Sequence, residues 1–209
     1  MRRTVYVIAG CFLIMPLLAC QPQTDTTQAS ASPAASEATA TLTATLASSP
    51  SPADNAVDPF SVSSTGIVNG VLNDIYGARG AQKANGIPSR SLPLSFAQIP
   101  DGTACLALTV IDPDGGNWTH WLAANIPPAD LAENASIDLA SKMVQGTNDF
   151  GFVGYGGPTP PSGTHTYVIT VYALSEALPL QDGFSRKQFE EKLTGKSLAS
   201  ATLTGDYAH

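Results

Sequence analysis

The sequence predicts a mainly β domain with a few peripheral helices over residues 58–209. Apolar or alternating stretches rich in Val, Ile, Tyr, Trp and Thr recur through this region, as they do in half-buried strands. Gly, Pro, Asn and Asp separate these stretches, which is typical of turns between strands. Only one segment carries a complete set of helix signals. Strands are predicted at 60–63, 92–96, 104–111, 118–126 and 165–174, and a weaker helix after Pro128, around 129–134.

The composition limits what the protein can bind. Charged residues are 13% of the 209 residues, about half of the usual share in globular proteins, and hydrophobic residues are 43%. The net charge of −7 argues against nucleic-acid binding, which needs a surface rich in Lys and Arg. Binding to an anionic membrane through overall charge is disfavoured for the same reason. A bound anion must therefore be held locally, by a few well-placed groups.

The first twenty residues predict a lipoprotein signal. Arg2 and Arg3 precede an uncharged, mostly apolar run over 5–19, which suits a signal peptide and is too short to span a bilayer. The run ends in Leu-Leu-Ala-Cys at Cys20, which resembles the lipobox of bacterial lipoproteins. We therefore expect a signal peptide over 1–19, a lipid anchor on Cys20, and a periplasmic or outward-facing location in a bacterial cell envelope. An ordinary secretory peptide with a chance Cys is the alternative.

A low-complexity segment follows the predicted anchor. Residues 20–57 are rich in Ala, Ser, Thr and Pro and contain no aromatic residue. Such a composition buries too little apolar surface to offset the entropy of ordering the chain, so a disordered tether is predicted. The composition changes at Asp58, and residues 58–209 are numerous enough for one substantial core.

The cysteines leave no partner for an intrachain disulfide. Cys11 lies within the predicted signal peptide and Cys20 is the predicted lipid attachment site, so only Cys105 remains. Cys105 begins the run Cys-Leu-Ala-Leu-Thr-Val-Ile, which is typical of a buried strand. We expect it to be a core thiol rather than a nucleophile.

One helix is well marked near the end of the chain. Ser185 is a candidate N-cap, and Gln188 three residues later completes a capping box. Phe184 and Phe189 occupy the positions of a hydrophobic staple, and Gly195 is placed to end the helix.

Two short segments contain the residues most suited to chemistry. Each begins with a conformationally restricted loop and ends with a histidine on a predicted strand, His120 in the first and His165 in the second. A neutral imidazole donates one hydrogen bond and a charged one donates two, so a pair of histidines suits an anion. A carboxylate such as Asp112 would fix the tautomer of one ring. We also expect the N–H groups of Gly156 and Gly157 to form an anion-binding nest.

Each of these features has a plainer explanation when it is taken alone. His120, between a Thr and a Trp, could be a hydrogen-bonded core histidine, and 112–115 could be an ordinary turn. The Gly/Pro run after Gly154 could be only a loop. His165 and Tyr167 share one face of a strand, which suits a pocket and equally suits a packed aromatic.

The order of motifs along the domain is more specific than any one of them. The motifs are Phe60-Ser-Val-Ser-Ser, Leu92-Pro-Leu-Ser-Phe, Ile99-Pro-Asp-Gly-Thr, Asp112-Pro-Asp, His120-Trp, Ile126-Pro, Gly146-Thr-Asn-Asp-Phe-Gly, Gly154-Tyr-Gly-Gly-Pro, Pro160-Pro, His165, Tyr167, Val171-Tyr-Ala-Leu and Leu203-Thr-Gly-Asp-Tyr. Together they resemble the phosphatidylethanolamine-binding protein family over most of 58–209, and most closely the bacterial branch described as Raf-kinase-inhibitor-like.

The resemblance implies a large antiparallel sheet packed on a smaller one, with a shallow pocket at one end that holds phosphate, phosphoryl headgroups or small carboxylates. Two departures bear on that pocket. Gly115-Gly116 replace the family's usual Ala-Pro, so we expect a looser rim. Thr166 replaces a frequent Arg, which would weaken anion affinity or alter its selectivity. The family's motifs place these residues in or beside the pocket: Asp112, Asp114, His120, Gly157, Pro158, His165 and Tyr167.

We therefore expect a binding module for a small anion such as phosphate or phosphoethanolamine, without turnover, cofactor or metal. An inhibitor or regulator of a protease or kinase is the alternative, and it rests on family analogy alone. A hydrolase is less well supported, because an Asp–His pair is half of a triad and no Gly-x-Ser-x-Gly motif occurs. Asp112, His120 and His165 could hold a metal by residue type, although their spacing matches no metal motif.

Overall fold

The structure, a computed structural model, describes residues 59–209. The predicted signal peptide, Cys20 and the predicted tether at 20–57 lie outside the described residues. The strands of the described region are β1 (Ser61–Ser63), β2 (Ile67–Val68), β3 (Val71–Leu72), β4 (Lys83–Ala84), β5 (Ile87–Pro88), β6 (Ser95–Ala97), β7 (Cys105–Asp112), β8 (Trp118–Ile126), β9 (Val144–Gln145), β10 (Thr164–Leu174) and β11 (Ser197–Ala208).

One large sheet dominates the domain and confirms the predicted fold class. Its seven strands run in the order β2-β3-β11-β10-β7-β8-β9. The long strands β11, β10, β7 and β8 pair antiparallel, and β7 lies between the two strands that carry His120 and His165. The pairing of β3 with β11 is parallel and involves Val71 and Asp206, so the sheet is not antiparallel throughout.

A smaller sheet covers one face of the large one. It consists of β1 and β6, which pair antiparallel, while β4 and β5 form a separate hairpin. Phe60 and Val62 pack from the small sheet into a core that contains Leu106, Leu108 and Trp121 of the large sheet. Burial of this apolar surface stabilises the arrangement of the two layers.

All five predicted strands are confirmed, and six of the eleven strands of the described region were not predicted. The predicted 118–126 strand coincides with β8, and the other four segments differ from the observed strands by a few residues at their ends. Among the strands that were not predicted is β11, the longest. Its inward positions hold small residues such as Ala201 and Gly205, which have low strand propensity. A Cβ at Gly205 would lie 2.9 Å from Ile67 Cδ1, so β2 and β3 pack where a larger residue would stand.

The helix after Ser185 is confirmed, with α2 spanning Arg186–Leu193. The Ser185 side chain accepts from the Gln188 N–H, and the Gln188 side chain accepts from the Ser185 N–H, which completes the capping box. The rings of Phe184 and Phe189 stack with centroids 6.0 Å apart, as expected of the staple. Gly195, with φ of +74°, follows the end of the helix.

The weaker helix prediction at 129–134 is wrong. The short helix α1 spans Ala135–Asp138, after the predicted segment. Leu94 and Leu131 exchange backbone hydrogen bonds of 2.9 Å in both directions, which holds Leu131 extended. Asn134 has φ of +69°, in the left-handed region, so a right-handed helix cannot run through it. Two 3₁₀ turns, Asp74–Tyr76 and Ala140–Lys142, complete the helical elements of the described region.

Cys105 is a buried thiol at the start of β7, as predicted. Burial raises the pKa of this thiol, which favours the unreactive protonated form.

Within residues 59–209 no helix has the length and apolar character needed to cross a bilayer.

Candidate functional site

A cavity of about 530 Å³ opens at one end of the large sheet, where β7 ends and β8 and β10 begin. Antiparallel pairing brings these ends together, because β7 has β8 on one side and β10 on the other. The loop over 159–163, which leads into β10, forms part of the wall. The lining residues are Asp112, Asp114, Gly115, Trp118, His120, Phe150, Thr159, Pro160, Pro161, Ser162, His165 and Tyr167.

Asp112 holds the imidazole of His165. Nδ1 of His165 lies 2.7 Å from Oδ2 of Asp112, and the carboxylate is almost fully buried. Oδ1 of Asp112 accepts the Gly115 N–H at 2.8 Å, which fixes the carboxylate from the other side. Because an ionised carboxylate only accepts, Nδ1 of His165 carries the proton. The Nε2 atom of His165 is therefore the ring nitrogen left for a ligand.

His120 is held in the same way by a different acceptor. Its ring is 2% exposed, and Nδ1 donates to the carbonyl oxygen of Gly156 at 2.6 Å. Burial lowers the pKa of His120, although the Gly156 carbonyl and the charges of Asp112 and Asp149 partly oppose this. His120 is thus neutral near pH 7, with the lone pair on Nε2. The contact with Gly156 occupies Nδ1, so Nε2 is the nitrogen that it leaves uncommitted.

Tyr167 supplies a hydroxyl without a partner. The side chain is 1% exposed and lines the cavity, and its hydroxyl lies near the Asp112 carboxylate without making a hydrogen bond of normal geometry to any described residue. Burial and the nearby charge of Asp112 raise the pKa of this hydroxyl, so it remains protonated and able to donate. An unpaired buried hydroxyl costs about 1–3 kcal/mol. The Tyr167 ring packs edge-on against His120.

Asp114 has a supporting position at the cavity's edge. Its Oδ2 accepts the Thr166 N–H at 2.8 Å, which ties the turn after β7 to the beginning of β10. The Thr166 hydroxyl donates to Oδ1 of Asp206 at 2.8 Å, so the residue that replaces the family's frequent Arg is engaged within the sheet. The hydrogen bond between Gly115 and Asp112 closes the turn that was expected to form a looser rim.

The glycine nest predicted from the sequence is wrong. The Gly156 N–H donates to the His120 carbonyl at 2.9 Å, and the Gly157 N–H donates to the Pro88 carbonyl at 2.7 Å, so neither is free for an anion. A Cβ at Gly157 would lie 2.1 Å from the carbonyl oxygen of Tyr76, which explains why this position needs glycine. Gly157 and Pro158 lie outside the cavity lining and support its wall from behind.

A comparison with known families supports the resemblance seen in the sequence. Residues 63–208 match the model of a family described as phosphatidylethanolamine-binding protein. The chain belongs to this family.

Relatives of this phosphatidylethanolamine-binding protein family member occur in bacteria and archaea. A protein of Methanothermobacter thermautotrophicus named UPF0098 is 40% identical over 135 residues, which cover 58% of this chain and 89% of the relative. The crystal structure of Escherichia coli YbcL, described as a new member of the mammalian PEBP family, superposes with a TM-score of 0.63 at 31% identity. A homologue from Chlamydia trachomatis superposes with a TM-score of 0.64 at 33% identity. Each match covers 73% of this chain and 99% of the solved chain.

The aromatic and proline-rich walls of this family member's cavity were not predicted from the sequence as parts of the site. Trp118 is 39% exposed at the mouth, and its ring meets Phe150 edge-on at 5.5 Å. On the opposite wall lie Pro160 and Pro161, and Nδ1 of His209 donates to the Pro160 carbonyl at 2.9 Å. Phe150 and the two prolines belong to motifs that carry the family resemblance, but nothing in the sequence indicates that His209 reaches the wall.

The described residues contain no group of three His, Cys, Asp or Glu side chains arranged to hold a metal ion. The cavity floor presents a set of hydrogen-bonding groups. It comprises two imidazole Nε2 atoms, which donate only when the rings are charged, and one tyrosine hydroxyl.

Proposed function

We propose that this protein is a binding module that holds a small oxyanion, such as phosphate or the phosphoryl group of phosphoethanolamine, without turnover. The oxyanion would lie in the cavity where β7 ends and β8 and β10 begin. The observation that carries the proposal is the convergence of His120, His165 and the unpartnered hydroxyl of Tyr167 on one cavity. The hydroxyl can donate a hydrogen bond to an oxyanion, and each imidazole can do so when it is charged.

The hydrogen bonds that hold the two imidazoles support a site prepared for a ligand. Asp112 and the Gly156 carbonyl each occupy one nitrogen of an imidazole and leave the other nitrogen for the cavity. The matching family is named for a lipid that contains a phosphoryl group, and this name is consistent with an oxyanion as the ligand.

We further propose that the domain is held at a bacterial cell envelope by lipid on Cys20, with residues 20–57 as the tether. This part of the proposal rests on the sequence alone, on the charged start, the apolar run and the Leu-Leu-Ala-Cys ending. It would keep the cavity outside the cytoplasm and near membrane phosphoryl groups.

The test is a calorimetric titration of the purified protein with phosphate and with phosphoethanolamine at pH 6 and pH 8. The variants His120→Asn and His165→Asn are informative, because the Asn amide can replace Nδ1 as donor while Nε2 is removed. We expect each variant to weaken phosphate binding about tenfold or more, and the double variant to abolish it. Tyr172→Phe is the control, because Tyr172 lies on β10 outside the cavity lining.

Unchanged phosphate binding in the double variant would overturn the proposed site. Absence of binding in the unaltered protein at both pH values would overturn the proposed function. The search should then turn to protein partners, by affinity capture with the unaltered protein as bait and identification of any reproducible partner.

A further inference from the structure

The strand β11 has a long edge that no described strand covers. It pairs with β10 along one side, over its whole length from Ser197 to Ala208. On the other side its only described neighbour is β3, which meets it at a single position, where Val71 lies opposite Asp206. Within the described region, the stretch 197–205 is therefore an edge of the large sheet.

The main chain along this edge presents hydrogen-bonding groups. In an antiparallel ladder, alternate residues turn both N–H and C=O toward the same side of the strand. The Asp206 N–H donates away from β10, to the Gly70 carbonyl at 2.8 Å. Ser200, Thr202 and Thr204, at steps of two residues, therefore face the same side. They are exposed, and no described residue forms a hydrogen bond with their main chain.

The side chains along this edge do not prevent another strand from adding. Exposed edges in natural proteins usually carry Lys, Pro or inward-pointing charges, which prevent such pairing. The stretch 197–205 consists of Ser, Leu, Ala, Thr and Gly and has neither charge nor proline. Its inward side chains, including Ala201 and Leu203, pack against the main core. A further strand with small or branched apolar side chains on its inner face would extend that core.

One segment of the chain outside the described residues has the pattern of such a strand. Over 39–46 the sequence Thr-Ala-Thr-Leu-Thr-Ala-Thr-Leu alternates strictly between Thr and an apolar residue. This period of two is typical of a strand with one face on a core. Paired with β11, the segment would place Ala and Leu beside the core and Thr beside Thr202 and Thr204. Thr–Thr pairs stabilise neighbouring strands.

The connection between this segment and the domain is long enough. Residues 47–58 lead from it to Pro59, where the described domain begins, and β1, which follows at once, lies against β11. Fully extended, the connection reaches about 40 Å. A strand of the segment's length measures only about 27 Å. The segment can therefore reach any position along the edge.

We propose that residues 39–46 pair with the exposed edge of β11 and add one strand to the large sheet. The covalent connection favours this occupant over a second copy or a foreign peptide, because it gives the segment an effective concentration of about the millimolar range. The inference is independent of the oxyanion site. Within the proposed tether, it assigns 39–46 to the sheet and leaves 20–38 as the link to the anchor.

The test is residue-resolved hydrogen exchange of the full chain, purified in detergent micelles. The variant Leu42→Pro/Thr43→Pro removes an outward N–H in either register of the segment, and it lies outside the described domain. We expect the amides of Ser200, Thr202 and Thr204 to exchange at least about tenfold faster in this variant than in wild type.

Two controls accompany this measurement. Thr26→Pro/Thr27→Pro places the same substitutions in the chain before 39–46 and should exchange as wild type does. The amides of Ala201 and Leu203 face β10, so they should stay protected in all three proteins and report that the sheet is intact.

Three outcomes decide the proposal. Faster exchange confined to Leu42→Pro/Thr43→Pro, together with protected amides over 39–46 in wild type, supports it. Equally fast exchange of the edge amides in all three proteins overturns it, because the edge is then open. Slow exchange that is the same in all three proteins and becomes faster on dilution also overturns it, because a second copy then covers the edge.

Discussion

The rings of His120 and Tyr167 meet edge-on, with centroids 5.0 Å apart and an interplanar angle of 82°. They come from β8 and β10, strands that are not neighbours, because β7 lies between them. The two side chains therefore meet across β7, at the floor of the cavity. The contact places the buried, neutral imidazole of His120 beside the buried side chain of Tyr167. Substitution of either residue should have a measurable effect.

His120 should make the stability of the protein depend on pH. Burial lowers the pKa of His120 from its ordinary value of 6.5 in the folded state, so the unfolded chain binds a proton at a higher pH than the folded protein does. Stability is then fully present above pH 6.5 and is lost as the pH falls below it, by up to about 1.4 kcal/mol per pH unit. Urea unfolding of wild type and His120→Asn from pH 7.5 to pH 5 measures this. The wild-type advantage should shrink as pH falls, and parallel curves would contradict the prediction.

Tyr167→Phe should weaken phosphate binding without lowering the free energy of unfolding. Removing a buried hydroxyl that has no partner should leave the free energy of unfolding unchanged or raise it by about 1 kcal/mol. The same change should weaken phosphate binding, because it removes the donor on the cavity floor. Chemical denaturation and phosphate titration of Tyr167→Phe and Tyr172→Phe test this together. A Tyr167→Phe variant that binds phosphate as tightly as wild type would remove Tyr167 from the site.

His209 should stabilise the proline-containing wall. Its Nδ1 donates to the Pro160 carbonyl at 2.9 Å, and its N–H donates to the Gly163 carbonyl at 2.8 Å. His209→Ala removes the first of these hydrogen bonds, whereas His209→Asn can retain it through the side-chain amide. We expect faster amide exchange at Ser162 and Gly163 in His209→Ala, and phosphate affinity reduced about twofold to tenfold. Near-wild-type behaviour of His209→Asn would attribute the effect to the hydrogen bond, whereas equal behaviour of all three proteins would refute it.

Cys20 should be required for membrane attachment in a bacterial host. Cys20→Ser removes the thiol that the lipobox resemblance designates for lipidation, so fatty-acid labelling should be lost and the protein should leave the membrane fraction. Cys11→Ser is the matched control, because that thiol lies within the predicted signal peptide and away from its end. Retention of the label in Cys20→Ser would contradict the lipoprotein prediction.

Much of the sheet could be predicted because its central strands are locally distinct. The run from 104 to 111 and the stretch from 118 to 126 combine β-branched, aromatic and apolar residues with turn residues at their ends. The strand β11 could not be found in this way, since Ala201 and Gly205 favour a strand only where β10 pairs with them and neighbouring elements pack closely. Helix capping was predictable at Ser185 because its contacts are local, whereas Leu131 is held extended by Leu94, far away in sequence.

The sequence by itself determined the residue types of the site and their placement at strand ends, and so it indicated His120, His165, Asp112 and Tyr167. Only the tertiary structure decided which partner each residue has. The Gly157 N–H, expected to face a ligand, donates to Pro88, while the Tyr167 hydroxyl, expected to pack or bind, has no partner among the described residues. The physical reason is that hydrogen bonds between distant segments depend on strand order and register, and neither is encoded in the local pattern of residues.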